Sequence, residues 1–144
     1  MGKYDPWGDL NQRSYLTVDF IDLPGGRRGV LCGDVILIDR HQLQVERRCT
    51  LAHELVHDER RVFPAAPALR AREETLVERT AARRLIELPD LVDALRACST
   101  RCADELADHL WVDPPMLAAR MDSLDPLEVA ELEHHLEDQW LWIP

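Results

Sequence analysis

The hydrophobic period of the chain changes once, near Leu43, and that change limits the fold more than any other feature of the sequence. Before it, Ser14 to Leu23 alternates apolar and polar residues, with Tyr15, Leu16, Val18, Phe20 and Ile21 as the apolar content, and Pro24-Gly25-Gly26 ends the run with turn residues. Two shorter runs, Gly29 to Cys32 and Val35 to Asp39, flank Gly33-Asp34, a pair suited to a tight hairpin. Three strands joined this closely predict a small antiparallel three-stranded meander. After Leu43, Val45, Cys49, Leu51, Ala52, Leu55 and Val56 recur at helical spacing and predict a helix over Gln44 to Glu59. Phe63-Pro64-Ala65-Ala66-Pro67 breaks it, and a second helix is expected from Leu69 to Leu88, stopping at Pro89. Shorter helices follow at Asp90–Ala97, Thr100–Leu110, Pro114–Leu124 and Pro126–Trp140, the last capped by Ser123 or Asp125. The fold class is therefore α+β: a small antiparallel sheet packed on one long helix, with a helical C-terminal extension. Residues 1–90 form the core and residues 91–144 the extension, within one globular unit.

Charge and composition narrow the function. The chain has 144 residues, 46% hydrophobic and 31% charged, the balance of a globular domain that buries one core. Its net charge of −10 is uneven. Residues 1–90 carry 14 Lys+Arg against 15 Asp+Glu, and residues 91–144 carry 3 against 12. The last third would repel a phosphate backbone, so no nucleic-acid partner is expected there. The apolar stretches are too short to span a bilayer, and Met1 to Leu10 lacks the basic start and apolar middle of an export signal, so a cytoplasmic protein without a membrane partner is expected. On that reading Cys32, Cys49, Cys98 and Cys102 are reduced, mostly buried thiols.

The chemistry concentrates in Leu51-Ala52-His53-Glu54-Leu55-Val56-His57. Four residues of helix turn through about 400°, which puts both imidazoles on one face a turn apart, suited to two nitrogen ligands on one ion. Glu54 lies about 100° away, where it can act as general base toward a water. By composition, about 0.02 such motifs are expected by chance. Apolar neighbours argue against two solvated histidines, because a polar trio in an apolar helix needs partners, and a metal supplies them. A catalytic zinc takes three protein ligands and leaves a position open. The next helix offers Glu73, Glu74, Glu78 and Glu87 as the third. Small Ala81 and Ala82 beside Glu78 would let two helices approach closely, which favours Glu78, with Glu74 one turn earlier as alternative ligand or supporting partner. Zn2+ is the expected metal, although Mn2+ or Fe2+ suits the same donors.

The run Arg47-Arg48-Cys49-Thr50-Leu51-Ala52-His53-Glu54-Leu55-Val56-His57 resembles the R-R-x-T-L-A-H-E-L-x-H signature of ImmA/IrrE-type metallopeptidases. The resemblance spans about Leu16 to Pro89. It implies a zincin-like fold, a downstream glutamate as third ligand and an alanine-rich helix ending near a proline. Aligning Pro89 with that proline places Glu78 on the ligand. Arg79 and Thr80 stand where the family has Ala and Asn, and Ala82 replaces an aromatic. Members encoded on phages and mobile elements cleave a transcriptional repressor, and others act in stress responses or beside antitoxins; a chain of this size resembles the phage type. The implied partner is thus a protein substrate.

For the tetrahedral oxyanion, His41, His109, Tyr15 and several arginines are all candidate donors. Glu105 to Met121 has helix-turn-helix spacing, with Leu106, Ala107, Leu110, Val112, Leu117 and Met121 as packing positions. Its second helix offers Arg120 alone to a nucleic acid, so packing or protein recognition is the better reading. His134-His135 reads as a solvated face, and Trp140-Leu141-Trp142-Ile143 as an apolar end that docks on the body. Two function classes follow: a metallopeptidase acting on a protein regulator, and a non-enzymatic metal-containing module whose acidic helices bind a DNA-binding regulator.

Overall fold

The long helix α2, Gln44–Arg60, is buried from two sides, and the rest of the molecule is arranged around it. In this computed structural model residues 3–98 and 102–136 are described. In chain order they form α1 (Pro6–Gln12), β1 (Thr17–Ile21), a 3-10 turn (Pro24–Gly26), β2 (Gly29–Cys32), β3 (Val35–Asp39), α2, α3 (Pro67–Leu85), α4 (Leu88–Ala97), α5 (Ala103–Leu110), α6 (Pro114–Asp122) and α7 (Pro126–Leu136). No described helix is long and apolar enough to cross a membrane.

The α+β class is as expected, but the sheet is mixed rather than antiparallel. Its order is β1-β3-β2, with β3 parallel to β1 and antiparallel to β2. The short connection between β1 and β2 did not force them together. Seven residues, 22–28, reach about 23 Å when extended, more than twice the ~9.6 Å of two strand spacings. β2 therefore lands on the far side, and the hairpin at Gly33 (φ +59°) returns β3 between them. That central strand puts Ile36 and Ile38 fully inside, against Leu16, Leu51 and Leu55.

The opposite face of α2 joins a larger helical core. Cys49, Ala52 and Val56 meet Val77, Ala81 and Ala82 of α3, and the same cluster continues through Leu91, Leu106, Met116, Leu117 and Leu132. Residues on both sides of position 90 thus share one core. The expected helix to Leu88 ends three residues early, at Leu85, and Pro89 opens the first turn of α4 instead of stopping its predecessor. Proline lacks an N–H to donate, and the first turn is where that donor is not needed. Helix α1 was not anticipated, although Asp5 caps it through a bond from Trp7 N at 3.1 Å and Pro6 opens it.

Of the helix-turn-helix positions, Leu106, Ala107, Val112, Leu117 and Met121 are buried and Leu110 is half-buried. Arg120 is also inside, bonded to the Ile86 carbonyl at 2.7 Å and to Glu128 at 2.5 Å, so the single cation of α6 ties helices together. Burial disfavours ionising Glu128, but Arg120 and Arg83 outweigh it and hold the carboxyl down at about 2. Asp125, not Ser123, caps α7, exchanging bonds with Glu128 at 2.8 and 3.3 Å. Cys49 and Cys98 are buried, whereas Cys32 and Cys102 are exposed, and all four are free thiols. The Trp140–Ile143 run, and the expected continuation of α7 to Trp140, lie outside the described residues.

Candidate metal centre

Helix α2 delivers His53 and His57 to one face, as its period requires, with ring centroids 4.8 Å apart. Helix α3 packs beside α2, with Val77 and the small Ala81 and Ala82 in their shared core. It brings Glu74 onto both rings: His53 Nε2 lies 3.0 Å from Glu74 Oε2, and His57 Nε2 lies 3.0 Å from Glu74 Oε1. One ligand atom from each of these three residues falls within 4.8 Å of the others. Glu78, the residue indicated by the resemblance, stands on the opposite side of the first ring, 2.5 Å from His53 Nδ1. Glu73 turns away to a two-bond pair with Arg60 at 2.5 and 3.0 Å. His57 Nδ1 is buried with no hydrogen-bond partner among the described residues, and Phe63 stacks on the same ring at 6.2 Å.

The electrostatics follow from three carboxylates, Glu54, Glu74 and Glu78, crowded around two rings. Burial works against a charged His53, yet its bonds to Glu74 and Glu78 prevail and raise it to about 10. Both nitrogens of His53 face a carboxylate oxygen, an arrangement that favours the protonated ring. His57 is pushed down, first by burial and then by the charge on His53. Glu54 is 5% exposed, and burial pushes its carboxyl up to about 7, close to the value a base needs at neutral pH.

Glu54 owes its place to a glycine. A Cβ built on Gly29 would lie 2.5 Å from Thr50 Cγ2 and 3.3 Å from Glu54 Oε1, so only a residue without a side chain lets β2 lie this close to α2. The contact makes β2, an edge strand, one wall of a cleft of about 570 Å³. Val30 and Leu31 of β2, Val62 and Phe63 of the α2–α3 loop, and Met116 of α6 give it apolar walls, and His53, Glu54, His57 and Glu74 form its floor. Arg27, Arg28 and Arg70 also line it, whereas His41, His109 and Tyr15 do not. His41 pairs with Asp22 at 2.5 Å, and the Tyr15 hydroxyl donates to Asp58 at 2.5 Å.

Gly29, Phe63 and the contribution of α6 to this cleft were not evident from the sequence. Phe63 had a signal, as an aromatic inside a proline-rich break; Gly29 and Met116 had none, since only packing brings them here. His134 and His135 lie on an exposed face of α7, in line with the sequence reading.

The donor set suits a divalent ion. Two imidazole nitrogens and a carboxylate oxygen are the open three-ligand set of a catalytic zinc. Bonds of ~2.0–2.1 Å in a tetrahedron place neighbouring ligand atoms ~3.3 Å apart; here a Glu74 oxygen lies 3.0 Å from each ring, and one atom from each residue falls within 4.8 Å of the others. A dication would also offset carboxylate charge that one imidazolium only partly balances. Compared with protein-family models, with curated proteins and with solved structures, the chain matches none.

Proposed function

We propose that this protein is a zinc-dependent peptidase with a zincin-like site, hydrolysing a peptide bond in a protein regulator of the repressor or antitoxin type. The single observation that carries the reading is the convergence of His53 Nε2, His57 Nε2 and one carboxylate of Glu74 at the floor of an open cleft, with buried Glu54 beside them.

His53, His57 and Glu74 hold the metal in this reading, and Glu78 fixes the orientation of His53 through Nδ1, the usual task of a carboxylate behind a ligating imidazole. A zinc ion held there supplies Lewis acidity toward a carbonyl oxygen and lowers the pKa of water. Glu54 takes the proton of the attacking water and passes it to the leaving amine, a duty suited to a carboxyl poised near neutrality. The free edge of β2 can pair with an extended substrate chain through main-chain bonds, and the apolar walls exclude water from the reacting carbonyl. Glu74 is about half exposed, so the site opens to the cleft, the arrangement of a catalytic rather than a closed structural metal. The regulator as substrate, and a mobile-element origin, rest on the resemblance of residues 47–57 alone.

The decisive experiment compares the zinc-loaded chain with its Glu54→Gln variant on a repressor encoded beside its gene. The wild type is expected to cut at one position, and the variant to bind the same amount of zinc while losing at least about 100-fold in rate. Undiminished cleavage by the variant would overturn the role of Glu54, and a wild type that binds zinc but cuts no such regulator would overturn the substrate class.

A further inference from the structure

The first part of the resembling run, Arg47-Arg48, takes no part in the centre just described. Both side chains point into a second pocket, of about 290 Å³, lined by Asp5, Trp7, Phe20, Gln44, Arg47, Arg48 and Trp111 and sharing no residue with the cleft. We infer that this pocket docks an acidic, apolar-flanked segment of a partner protein, with a carboxylate held by Arg47 and Arg48 and its apolar neighbours resting on Trp7 and Trp111.

The two guanidinium groups are oriented but not neutralised. Arg47 lies over the Phe20 ring at 4.8 Å and donates to the Arg40 carbonyl at 2.8 Å. Arg48 lies 5.5 Å from the Trp111 ring centre and donates to the Trp111 carbonyl at 2.7 Å. A guanidinium has five donors; Asp5 in the pocket wall acts on Arg48 through space, but neither guanidinium forms an ion pair with a carboxylate among the described residues. Arg47 Nε is buried with no acceptor among the described residues. The sole carboxylate lining the pocket, Asp5, accepts the Trp7 backbone N–H at the start of α1. Guanidinium planes fixed on aromatic faces, with donor edges left over, match a carboxylate's two oxygens.

The aromatic residues are held out toward solvent. Trp7 is 36%, Phe20 41% and Trp111 58% exposed. Trp111 caps α5 in the left-handed conformation, φ +56° and ψ +46°, where glycine is the usual residue because a Cβ strains the backbone. An exposed indole at a strained position does little for the fold. Together with Arg, it is the residue type that anchors protein interfaces. The pocket falls just below the ~300–1,000 Å³ of small-molecule sites and leaves its rings open, so a protruding side chain of a protein fits it better than an enclosed metabolite.

The test uses the full 15N-labelled chain and the peptide acetyl-Leu-Glu-Trp-Glu-Leu-amide, read at the Arg47 and Arg48 Nε–H and the Trp7 and Trp111 indole resonances. Saturable shifts at these signals are expected, weakening with salt and about tenfold weaker when both Glu are Gln, a 1.4 kcal/mol loss. Arg48→Gln and Trp111→Gly should each weaken binding by about the same factor. Trp111→Gly should do so without lowering Tm, since glycine takes that φ freely. No saturation at millimolar peptide, equal binding of the Gln peptide, or unchanged affinity of either variant would overturn the inference. So would a drop in Tm for Trp111→Gly, which would assign the ring to the fold. Benzoate or inorganic phosphate saturating the same signals as tightly as the peptide would instead make this a small-anion site, and overturn the protein segment.

Discussion

Exchanging the two glutamates of α3 for glutamine, one at a time, tests the proposed division in which Glu74 holds a metal and Glu78 aims a ring. Glu74 faces both Nε2 atoms at 3.0 Å, whereas Glu78 pairs with the other nitrogen of His53, Nδ1, at 2.5 Å and with neither Nε2. Glu78→Gln keeps the shape of the side chain and the contact but removes the charge. A change of this kind behind a ligating histidine costs ~10–100-fold in metal affinity, or ~1.4–2.8 kcal/mol. Glu74→Gln removes an anionic ligand from a set of three and should cost more than the upper end of that range. Competition against a chromophoric zinc chelator gives both constants, and circular dichroism checks that each variant keeps its helices. A Glu78→Gln variant that loses as much affinity as Glu74→Gln, or more, would refute the assignment and return the third ligand to the residue indicated by the resemblance.

Two further outcomes follow from the same geometry. His53 is raised to about 10 by its carboxylate neighbours, above its ordinary value of ~6.5. Its contribution to stability is thus complete below about pH 6.5 and disappears as the pH rises through about 10. Zinc must displace that proton, so apparent affinity should increase with pH across this window, and calorimetry in two buffers near about pH 8 should report about one proton released; an affinity that falls with pH would contradict the carboxylate-held imidazolium. Gly29→Ala places a methyl group 2.5 Å from Thr50 Cγ2, whose rotamer is fixed by a 2.7 Å bond to Gln42. It should cost ~1–3 kcal/mol in urea denaturation, and an unchanged midpoint would show that β2 is free to move off α2.

Features that depend on period and local chemistry were legible in the amino-acid order. The helical repeat after Leu43 places His53 and His57 on one face whatever the rest of the chain does, and the alternation before it gives three strands close to their observed bounds. Order and direction within the sheet were not written there, because residues 22–28 are long enough to join β1 to either edge. The choice between Glu74 and Glu78 was equally out of reach. They are four apart on one face of α3, about 6 Å along its axis, and only the height at which α3 crosses α2 decides which one meets both rings. The same holds for the neighbours of Arg48: the carbonyl it reaches belongs to Trp111, 63 residues later. Periodicity fixes the face from which a side chain projects; packing between distant elements fixes what it meets.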